Sequence, residues 1–472
     1  MSRIVHVSNR VAIPKGSTSP GGLAVVLAGT LRDAGGVWFG WSGETHPDSE
    51  PQPPLQEQLH QGTSYLTLSL PETMQELFYS GFANGSLWPL LHYFLDSFQY
   101  RDEEFQGYLA VNALFARELA PQLHRDDLVW VHDYHLMPCG QRLRSEGVTQ
   151  PIGFFLHTPF PHYEVLRSLP VHRQLLESLL AYDLLGFQTE TDQQSFLGAA
   201  AAVLGRECVT AGAAVSTAER LTRTGVFPVG VDLAYTTRAA TKIAPSARVR
   251  DMMNGLRGRR LIIGVDRLDY SKGLLQRFAA FQLFLEECPE HRGKVTYVQI
   301  APLGRQNVQA YGRIRHALER SAGNINGRFA DVDWTPIRYL NRNFPHPTLL
   351  AFLRLAEVCL VTPLRDGMNL VAKEFIGAQD PGNPGVLVLS DRAGAAAELS
   401  DALLVNPYDT RGIARALREA LAMPRQERRA RHARLLEALR ANDVLAWRSR
   451  FLASLSGRGE QLRLERAARM AH

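Results

Sequence analysis

The sequence has few cysteines and no long apolar run, and both features narrow the possible classes of protein. Its four cysteines lie about 70 to 80 residues apart and are Cys139, Cys208, Cys288 and Cys359. Neither a disulfide framework nor a zinc site has such spacing, so we expect a reducing compartment. No stretch approaches the roughly 18 apolar residues that a membrane span needs, and Arg3 and Arg10 interrupt the first apolar segment. We therefore predict no membrane partner and a cytoplasmic location.

A strong charge of one sign is also lacking. The chain has 52 Lys and Arg against 47 Asp and Glu, which gives a net charge of +5. Many arginines lie between residues 411 and 469, and no basic and aromatic platform occurs in the middle of the chain. This distribution predicts no nucleic-acid partner. A homo-oligomer, either a dimer or a tetramer, is left open.

Short apolar runs alternate with longer helical patterns along the chain. They cover residues 4–7, 128–131, 152–156, 184–187, 261–265, 295–300, 358–361, 386–389 and 403–405. This alternation predicts an α/β fold of doubly wound parallel sheets, and the strands are too many for one sheet. Apolar continuity is lost near residues 236–260. We predict an N-terminal Rossmann-like domain (1–235), a C-terminal one (236–455) and an Arg-rich tail (456–472), with ligands between the two domains at the carboxyl ends of the strands.

The stretch from Pro363 to Glu374 is the most informative part of the sequence. It follows the apolar run 358–361, turns at Gly367 and then has a helical pattern. Free N–H groups at Asn369, Leu370 and Val371 would bind a diphosphate at the start of this helix. Glu374 lies one turn further on, where its carboxylate could accept hydrogen bonds from a ribose diol. The alternative is a simple strand–turn–helix corner with a solvated Glu374.

Two cations follow another apolar run. Arg267 and Lys272 lie five residues apart in a loop that ends at Gly273. Together they could neutralise a departing nucleoside diphosphate as its charge develops. The alternative is a surface ion pair between Arg267 and Asp269.

Large aromatic rings are dense in glycine-containing, polar stretches of the N-terminal half. Trp38, Trp41, Tyr79 and Trp88 lie in such contexts, downstream of a Gly21-Gly22 turn that permits close approach of a phosphate. Ring faces suit the C–H surface of a pyranose. Packing between domains is the alternative, most of all for Trp38.

Two predicted strands end in histidine-containing segments, at residues 132–135 and at His157. We interpret Asp133 as an acceptor for sugar hydroxyls and His157 as a sugar contact, or alternatively as a structural histidine. His132, Asp133 and His135 could be mistaken for metal ligands, but no soft ligands accompany them, so we predict no metal.

The combined motifs resemble retaining glycosyltransferase family 20, the family of the trehalose-6-phosphate synthases. They lie in the family's order at residues 8–10, 21–23, 38–43, 132–136, 154–161, 266–273, 299–302 and 362–374, and the resemblance covers residues 3 to about 452. The resemblance implies a GT-B fold whose active site lies between two Rossmann-like domains. It also implies that UDP-glucose is the donor, that glucose 6-phosphate is the acceptor, and that neither a cofactor nor a metal is required.

The resemblance further implies a role for each matching residue. The implied acceptor-binding residues are Arg10, Trp41, Tyr79, Trp88, Asp133 and Arg305. The implied donor-binding residues are Gly22, His157, Arg267, Lys272, Phe344, Asp366, Gly367, Met368, Asn369, Leu370, Val371 and Glu374. Arg267, Lys272, Asp133 and His157 form the expected catalytic group. The sequence departs from the family pattern at Leu303-Gly304 and at the proline-rich loop after Phe344.

Other functions stay open at this point. A glucosylglycerol-phosphate synthase would keep the donor half and use a smaller phosphorylated acceptor. A catalytically silent sugar-phosphate sensor is the alternative from another class. Asp331-Val332-Asp333 matches metal-binding Asp-x-Asp motifs, but no buried strand precedes it, so we expect an exposed acidic loop and no phosphatase.

Overall fold

The computed structural model describes residues 2–13, 23–32, 35–302 and 309–457. Its strands are, in chain order, β1 (Ile4–Arg10), β2 (Gly36–His46), β3 (Gln56–His60), β4 (Thr63–Pro71), β5 (Leu128–His132), β6 (Ile152–Phe155), β7 (Leu184–Phe187), β8 (Ala214–Ser216), β9 (Leu221–Val226), β10 (Arg260–Val265), β11 (Val295–Ile300), β12 (Ile337–Leu340), β13 (Val358–Val361), β14 (Val386–Ser390) and β15 (Leu403–Val405).

The helices alternate with the strands. They are α1 (Leu23–Arg32), α2 (Glu72–Gln75), α3 (Trp88–Leu91), α4 (Asp102–Leu119), α5 (Cys139–Ser145), α6 (Tyr163–Leu166), α7 (His172–Leu179), α8 (Glu190–Leu204), α9 (Leu233–Ile243), α10 (Ala247–Leu256), α11 (Leu274–Glu287), α12 (Gln309–Phe329), α13 (His346–Leu355), α14 (Leu370–Ala378), α15 (Thr410–Ala422), α16 (Arg425–Ala441) and α17 (Val444–Leu455). A π-helical segment, Glu76–Leu87, connects α2 to α3. None of the described helices is both long enough and apolar enough to cross a bilayer.

The chain forms two compact units, each with its own sheet. The first unit contains the described residues up to Val229 and those from Val444 onward, and the second contains Gly230–Asp443. In the described part of the first unit, the sheet has the strand order β3-β4-β2-β1-β5-β6-β7-β9-β8. Its strands are parallel, except that β3 and β8 run antiparallel to their neighbours β4 and β9. The carboxyl ends of β1, β2, β5 and β6 therefore lie along one edge.

The second unit has a parallel sheet of strand order β12-β11-β10-β13-β14-β15. Its central strands are completely buried, since every residue of β11, β13 and β14 is shielded from solvent. Helices α11 and α15 pack on this sheet through Phe278, Phe281 and Leu417. Parallel strands that are buried on both faces by helices are typical of doubly wound α/β units. The prediction of two parallel-sheet α/β domains is confirmed.

The unit boundaries differ from the predicted domains. Residues 236–260 were expected to form the connection, but they contain most of α9 and α10, and the division falls at Val229. Helix α17 also belongs to the first unit, because Phe451 stacks on Trp130 with ring centroids 4.2 Å apart. The predicted tail from residue 458 onward lies outside the described residues.

Candidate active site

Arg10 lies at the end of β1, and its neighbours hold it against an aromatic ring. The register of β1 and β2 pairs Arg10 with Trp41. The guanidinium carbon of Arg10 lies 5.7 Å from the centroid of the Trp41 ring. Gly43 has φ 90°, and a Cβ atom there would lie 2.4 Å from Nη2 of Arg10. A glycine is therefore needed at residue 43 both for its backbone conformation and for the space that Arg10 occupies.

A continuous row of rings begins at Trp41. Tyr79 lies 5.9 Å from Trp41 and stacks at 11° on His135, with centroids 5.8 Å apart. His135 contacts Tyr134 at 4.0 Å, and Tyr134 contacts Trp88 at 5.7 Å. The structure thus joins Trp41, Tyr79 and Trp88, which sequence reasoning placed in the acceptor site. Trp88 is only 5% exposed, so its ring forms part of the wall behind Tyr79.

Trp38 is different from these rings. It is completely buried, and its indole N–H donates to Oγ of Ser8 at 2.8 Å. Trp38 is therefore a core residue of the first unit, a position that differs both from the expected sugar contact and from the alternative of packing between domains.

Asp133 and His157 lie together at the ends of β5 and β6. The backbone N–H of Asp133 donates to Phe155 at 2.8 Å, and Oδ1 of Asp133 accepts from the backbone N–H of His157 at 3.2 Å. Asp133 has φ 74°, a conformation that is costly for a residue with a side chain and common at functional sites. Burial lowers the pKa of His157 to about 3, so its ring is neutral at physiological pH.

In the second unit, Lys272 joins two loops. It ends a short 3-10 turn after β10, and its ammonium group donates to Oδ2 of Asp366 at 2.5 Å. The amide of Asn369 donates to the same oxygen at 3.0 Å. Lys272 is only 9% exposed. A positive charge therefore lies at the N-terminal end of α14, where the helix dipole also favours an anion.

The loop before α14 is tightly constrained. Asn369 has φ 76° and precedes the first residue of the helix. The N–H groups of Gly394 and Ala395 donate to the carbonyls of Asp366 and Met368 at 3.1 and 2.8 Å. A Cβ atom at Gly394 would lie 1.9 Å from the carbonyl oxygen of Gly367. These contacts fix the backbone whose N–H groups, at Leu370 and Val371, begin the helix.

Glu374 has a partner that sequence reasoning did not assign. Its Oε1 lies 2.8 Å from Nε2 of His346, the first residue of α13, and Tyr235 stacks on the His346 ring at 5.9 Å. Burial alone would lower the pKa of His346, but the hydrogen bond to Glu374 raises it above its ordinary value. The Glu374 carboxylate is thus fixed by its hydrogen bond to His346, and it is not the solvated residue of the alternative interpretation.

Arg277 of α11 is buried behind the Lys272 loop. Its Nη1 donates to Asp266 at 2.6 Å and to Gln299 at 3.0 Å, and its Nε donates to Thr362 at 3.1 Å. Burial raises the pKa of Asp266, and the Arg277 charge opposes that shift. A buried guanidinium with several acceptors thus ties together residues that follow β10 and β13 and one within β11.

The remaining residues that the sequence singled out differ in their exposure to solvent, and some lie outside the described residues. Arg267 is exposed in the loop after β10. Phe344 is half-buried and contacts Phe352 edge to face at 5.4 Å. Gly22 and Arg305 lie outside the described residues. The prediction of an exposed acidic loop at 331–333 is confirmed, because these residues are exposed and Asp333 accepts from Arg259 at 2.5 Å.

Comparison with known proteins identifies the family of the chain. The model of glycosyltransferase family 20 matches residues 6–457. The chain belongs to this family. It is 49% identical over 474 residues to a trehalose-6-phosphate synthase of Klebsiella pneumoniae subsp. pneumoniae, covering 98% of each chain. The family 20 assignment makes the protein a glycosyltransferase and confirms the predicted GT-B fold and family resemblance.

Two solved structures of relatives contain substrates or analogues. A UDP-forming α,α-trehalose-phosphate synthase of Burkholderia xenovorans in complex with glucose 6-phosphate is 45% identical, with a TM-score of 0.91, and 96% of this chain and 100% of that chain are covered. A structure from E. coli bound with UDP-2-fluoro glucose is also 45% identical, with a TM-score of 0.88, and 96% and 99% are covered.

Sequence reasoning missed several residues that support the site. Some of them could have been found from the sequence pattern, and others could not. His6 interrupts the apolar strand β1, and Arg277 interrupts the apolar face of α11. A polar residue inside a buried pattern indicates a satisfied network and could have been noticed. The link between His346 and Glu374 spans 28 residues, and no periodicity in the sequence predicts it.

Proposed function

We propose that this family 20 enzyme transfers glucose from UDP-glucose to the anomeric hydroxyl of glucose 6-phosphate. The products are trehalose 6-phosphate and UDP, and the α configuration of the donor is retained. The observation that carries the proposal is the match over nearly the whole chain to trehalose-6-phosphate synthases, at 45–49% identity. The two groups of residues described above supply the chemistry that this reaction needs.

The first unit offers an acceptor site. Arg10 provides a guanidinium fork for a phosphate dianion, and Trp41 and Tyr79 provide ring faces for a hexose. Asp133 adds a carboxylate for sugar hydroxyls. A three-carbon acceptor would leave much of this aromatic row without contact, which favours a hexose phosphate over glycerol phosphate. We also propose that Arg305 binds the phosphate and that Gly22 allows close approach of the donor.

The second unit offers a donor site. The N–H groups at the start of α14 and the ammonium of Lys272 would bind the diphosphate, and Glu374 would bind the ribose diol. Arg267 would add a second cation, and Phe344 would line the nucleotide site. Because the negative charge on the diphosphate grows as the glycosidic bond breaks, these cations stabilise the transition state more than the ground state.

Retention of configuration is best explained by attack on the same face from which UDP leaves. A double displacement would need a carboxylate nucleophile beneath the anomeric carbon. Asp366 and Asp133 are the candidates, but Asp366 accepts from both Lys272 and Asn369, and Asp133 accepts from the His157 backbone. These bonds lower their nucleophilicity. We infer that the leaving phosphate takes the proton of the attacking hydroxyl.

The proposed chemistry does not require a metal, because Lys272 and Arg267 supply the positive charge. Among the described residues, no group of three or more His, Cys, Asp or Glu side chains could hold an ion. We expect activity to persist in excess EDTA. Loss of turnover in EDTA, with recovery on addition of Mg²⁺ or Mn²⁺, would contradict this expectation.

A cytoplasmic location and a dimeric or tetrameric assembly remain predictions from the sequence.

An acceptor panel tests the function. Purified protein is incubated with UDP-glucose and either glucose 6-phosphate, glucose or glycerol 3-phosphate, and UDP release is measured. We expect glucose 6-phosphate to be strongly preferred, because the phosphate supplies remote binding energy that positions the anomeric hydroxyl. Preference for glycerol phosphate would support a glucosylglycerol-phosphate synthase. Binding of sugar phosphate without UDP release would support a sensor.

A further inference from the structure

Three histidines and a threonine form a linear chain of hydrogen bonds inside the first unit. Oγ1 of Thr30, on α1, lies 3.2 Å from Nε2 of His6 on β1. Nδ1 of His6 lies 2.9 Å from Nε2 of His132 on β5. Nδ1 of His132 lies 3.2 Å from Nε2 of His157. The nitrogens pair in sequence and do not converge on one point, so the arrangement is not that of a metal site.

The hydroxyl of Thr30, at one end of this series, determines which atom is the donor in each of the hydrogen bonds. The Thr30 hydroxyl has one hydrogen and donates it to the carbonyl of Leu27 at 2.7 Å, since a carbonyl can only accept. Oγ1 of Thr30 must then accept from Nε2–H of His6. His6 therefore has a bare Nδ1, which accepts from Nε2–H of His132. The same step repeats once more, so His157 donates through Nε2 and keeps a lone pair on Nδ1.

The buried surroundings keep the histidine rings neutral, so this pattern of hydrogen-bond donors and acceptors is stable. Thr30, His6 and His132 are fully buried. Burial and, to a smaller extent, the nearby Arg448 charge together lower the pKa of His6 to about 3. Burial also lowers the pKa of His132 well below its usual value, with His6 and His157 as further causes. Arg448, on α17, donates to the Thr30 carbonyl, while Trp130 and Trp447 pack against the His132 ring.

We propose that Thr30, His6 and His132 are positioning residues that hold His157 in the Nε2–H form, so that its Nδ1 accepts a hydrogen bond from a sugar hydroxyl. His157 is half-buried, and its Nδ1 has no hydrogen-bond partner among the described residues. In the other tautomer Nδ1 of His157 would be a donor, and the sugar hydroxyl would have to accept the hydrogen bond instead of donating it. The identity of the sugar rests on the proposed function, but the tautomer does not.

Nitrogen NMR tests the tautomer independently of the function. The full-length protein is labelled with ¹⁵N-histidine, and the three rings are assigned with His→Gln variants. We expect each ring to show a protonated Nε2 and an unprotonated Nδ1, with no titration between pH about 5.5 and 8, because their pKa values lie far below. Titration of any of the three in this range, or a protonated Nδ1 on His157, would overturn the proposal.

A matched set of variants tests the link to the sugar. Thr30→Val removes the hydroxyl at nearly constant volume, and we expect kcat/KM for UDP-glucose to fall about tenfold, as for loss of one buried hydrogen bond, with mixed His157 tautomers in the spectrum. Thr30→Ser should restore most of the loss. Thr241→Val removes a hydroxyl that bonds back to Thr237 on an exposed helix face and should have no effect.

These results separate the two proposals. If the protein has no transferase activity but the NMR pattern is present, the proposed function fails and the tautomer assignment stands. If Thr30→Val keeps both the parent's efficiency and its single His157 tautomer while the parent makes trehalose 6-phosphate, the positioning role fails and the function stands.

Discussion

A single ammonium group joins the two loops of the candidate donor site. Lys272 follows β10, whereas its partner Asp366 follows β13. Because the pair is mostly buried and Asn369 shares the carboxylate, the ammonium is fixed in place before any substrate binds. Such preorganisation makes a cation effective against charge that develops in the transition state.

Replacing Lys272 with Ala should therefore reduce turnover much more than it weakens glucose 6-phosphate binding. Losing one contact of this type typically costs about 3 kcal/mol of barrier, or roughly 100-fold in kcat. Steady-state kinetics with both substrates varied will measure this split. Lys242→Ala, at an exposed residue of α9, is the control and should match the parent. A Lys272→Ala enzyme within twofold of the parent would reject the assignment.

At the scale of elements, the site depends on the ends of strands and on the turns that follow them. The sequence predicted the nine apolar core strands, because continuous apolar runs identify buried parallel strands. It did not predict β2, β3, β4, β8, β9 or β12. Strands β3 and β8 lie at sheet edges, and β3 is fully exposed, so neither has a uniformly apolar pattern. Strand β2 mixes glycine with tryptophan, a pattern that predicts a sugar-binding stretch or packing between domains and not a core strand.

The irregular part of β2 that contains Gly43 offers a prediction about the acceptor site. Gly43→Ala should raise KM for glucose 6-phosphate roughly tenfold, because the new methyl group displaces the Arg10 guanidinium and removes a charged contact worth about 1.5 kcal/mol. Gly62→Ala is the matched control. Gly62 has a similar φ of 78°, but nothing lies within 4 Å of its Cβ position, so it tests backbone strain alone. Equal KM values in the two variants would contradict the role of Gly43.

The buried histidines of β1 and β5 make folding stability depend on pH. The pKa of His6 is about 3 in the folded protein, compared with an ordinary value of 6.5, so the unfolded chain binds more protons between these values. Stability is complete above pH 6.5 and falls as the pH decreases. His6 alone should contribute about 1 to 2 kcal/mol of this loss between pH 6.5 and about 5.

Thermal unfolding at several pH values will measure the effect. His6→Gln should have a smaller decrease in Tm on acidification than the parent, whereas His316→Gln, at an exposed residue of α12, should follow the parent. Parallel Tm curves for the parent and His6→Gln would show that His6 is not held neutral in the fold.

At the scale of the whole molecule, the first unit combines segments that are far apart in sequence, the described residues up to Val229 and those from Val444 onward. Helix α17 covers the sheet of the first unit, and Phe451 occupies space above β6 and β7. A Cβ atom at Gly153 or Gly186 would lie 2.7 Å from its ring. The glycines in those strands therefore make room for a phenylalanine almost 300 residues later. Local patterns cannot reveal such pairing, which is why the predicted second domain extended through α17.

The proximity of four candidate acceptor residues was more predictable than the unit boundaries, and their roles stay predictions. Arg10, Trp41, Tyr79 and Trp88 were named from the sequence, and the structure brings them into one row of contacts. Strand-end residues are predictable because parallel strands align their carboxyl ends. The residues that hold them, such as Arg277, were missed because their roles depend on partners in other elements.

Direct observation of the product is the simplest test of the proposal that this chain makes trehalose 6-phosphate. Purified enzyme is incubated with UDP-glucose and glucose 6-phosphate labelled with ¹³C at C1, and the label is followed by NMR. We expect a non-reducing disaccharide phosphate whose labelled anomeric carbon is α-linked to a second α-glucosyl carbon, with one UDP released per molecule. A label that remains in free glucose 6-phosphate, or a product with a β-linked donor glucose, would contradict it.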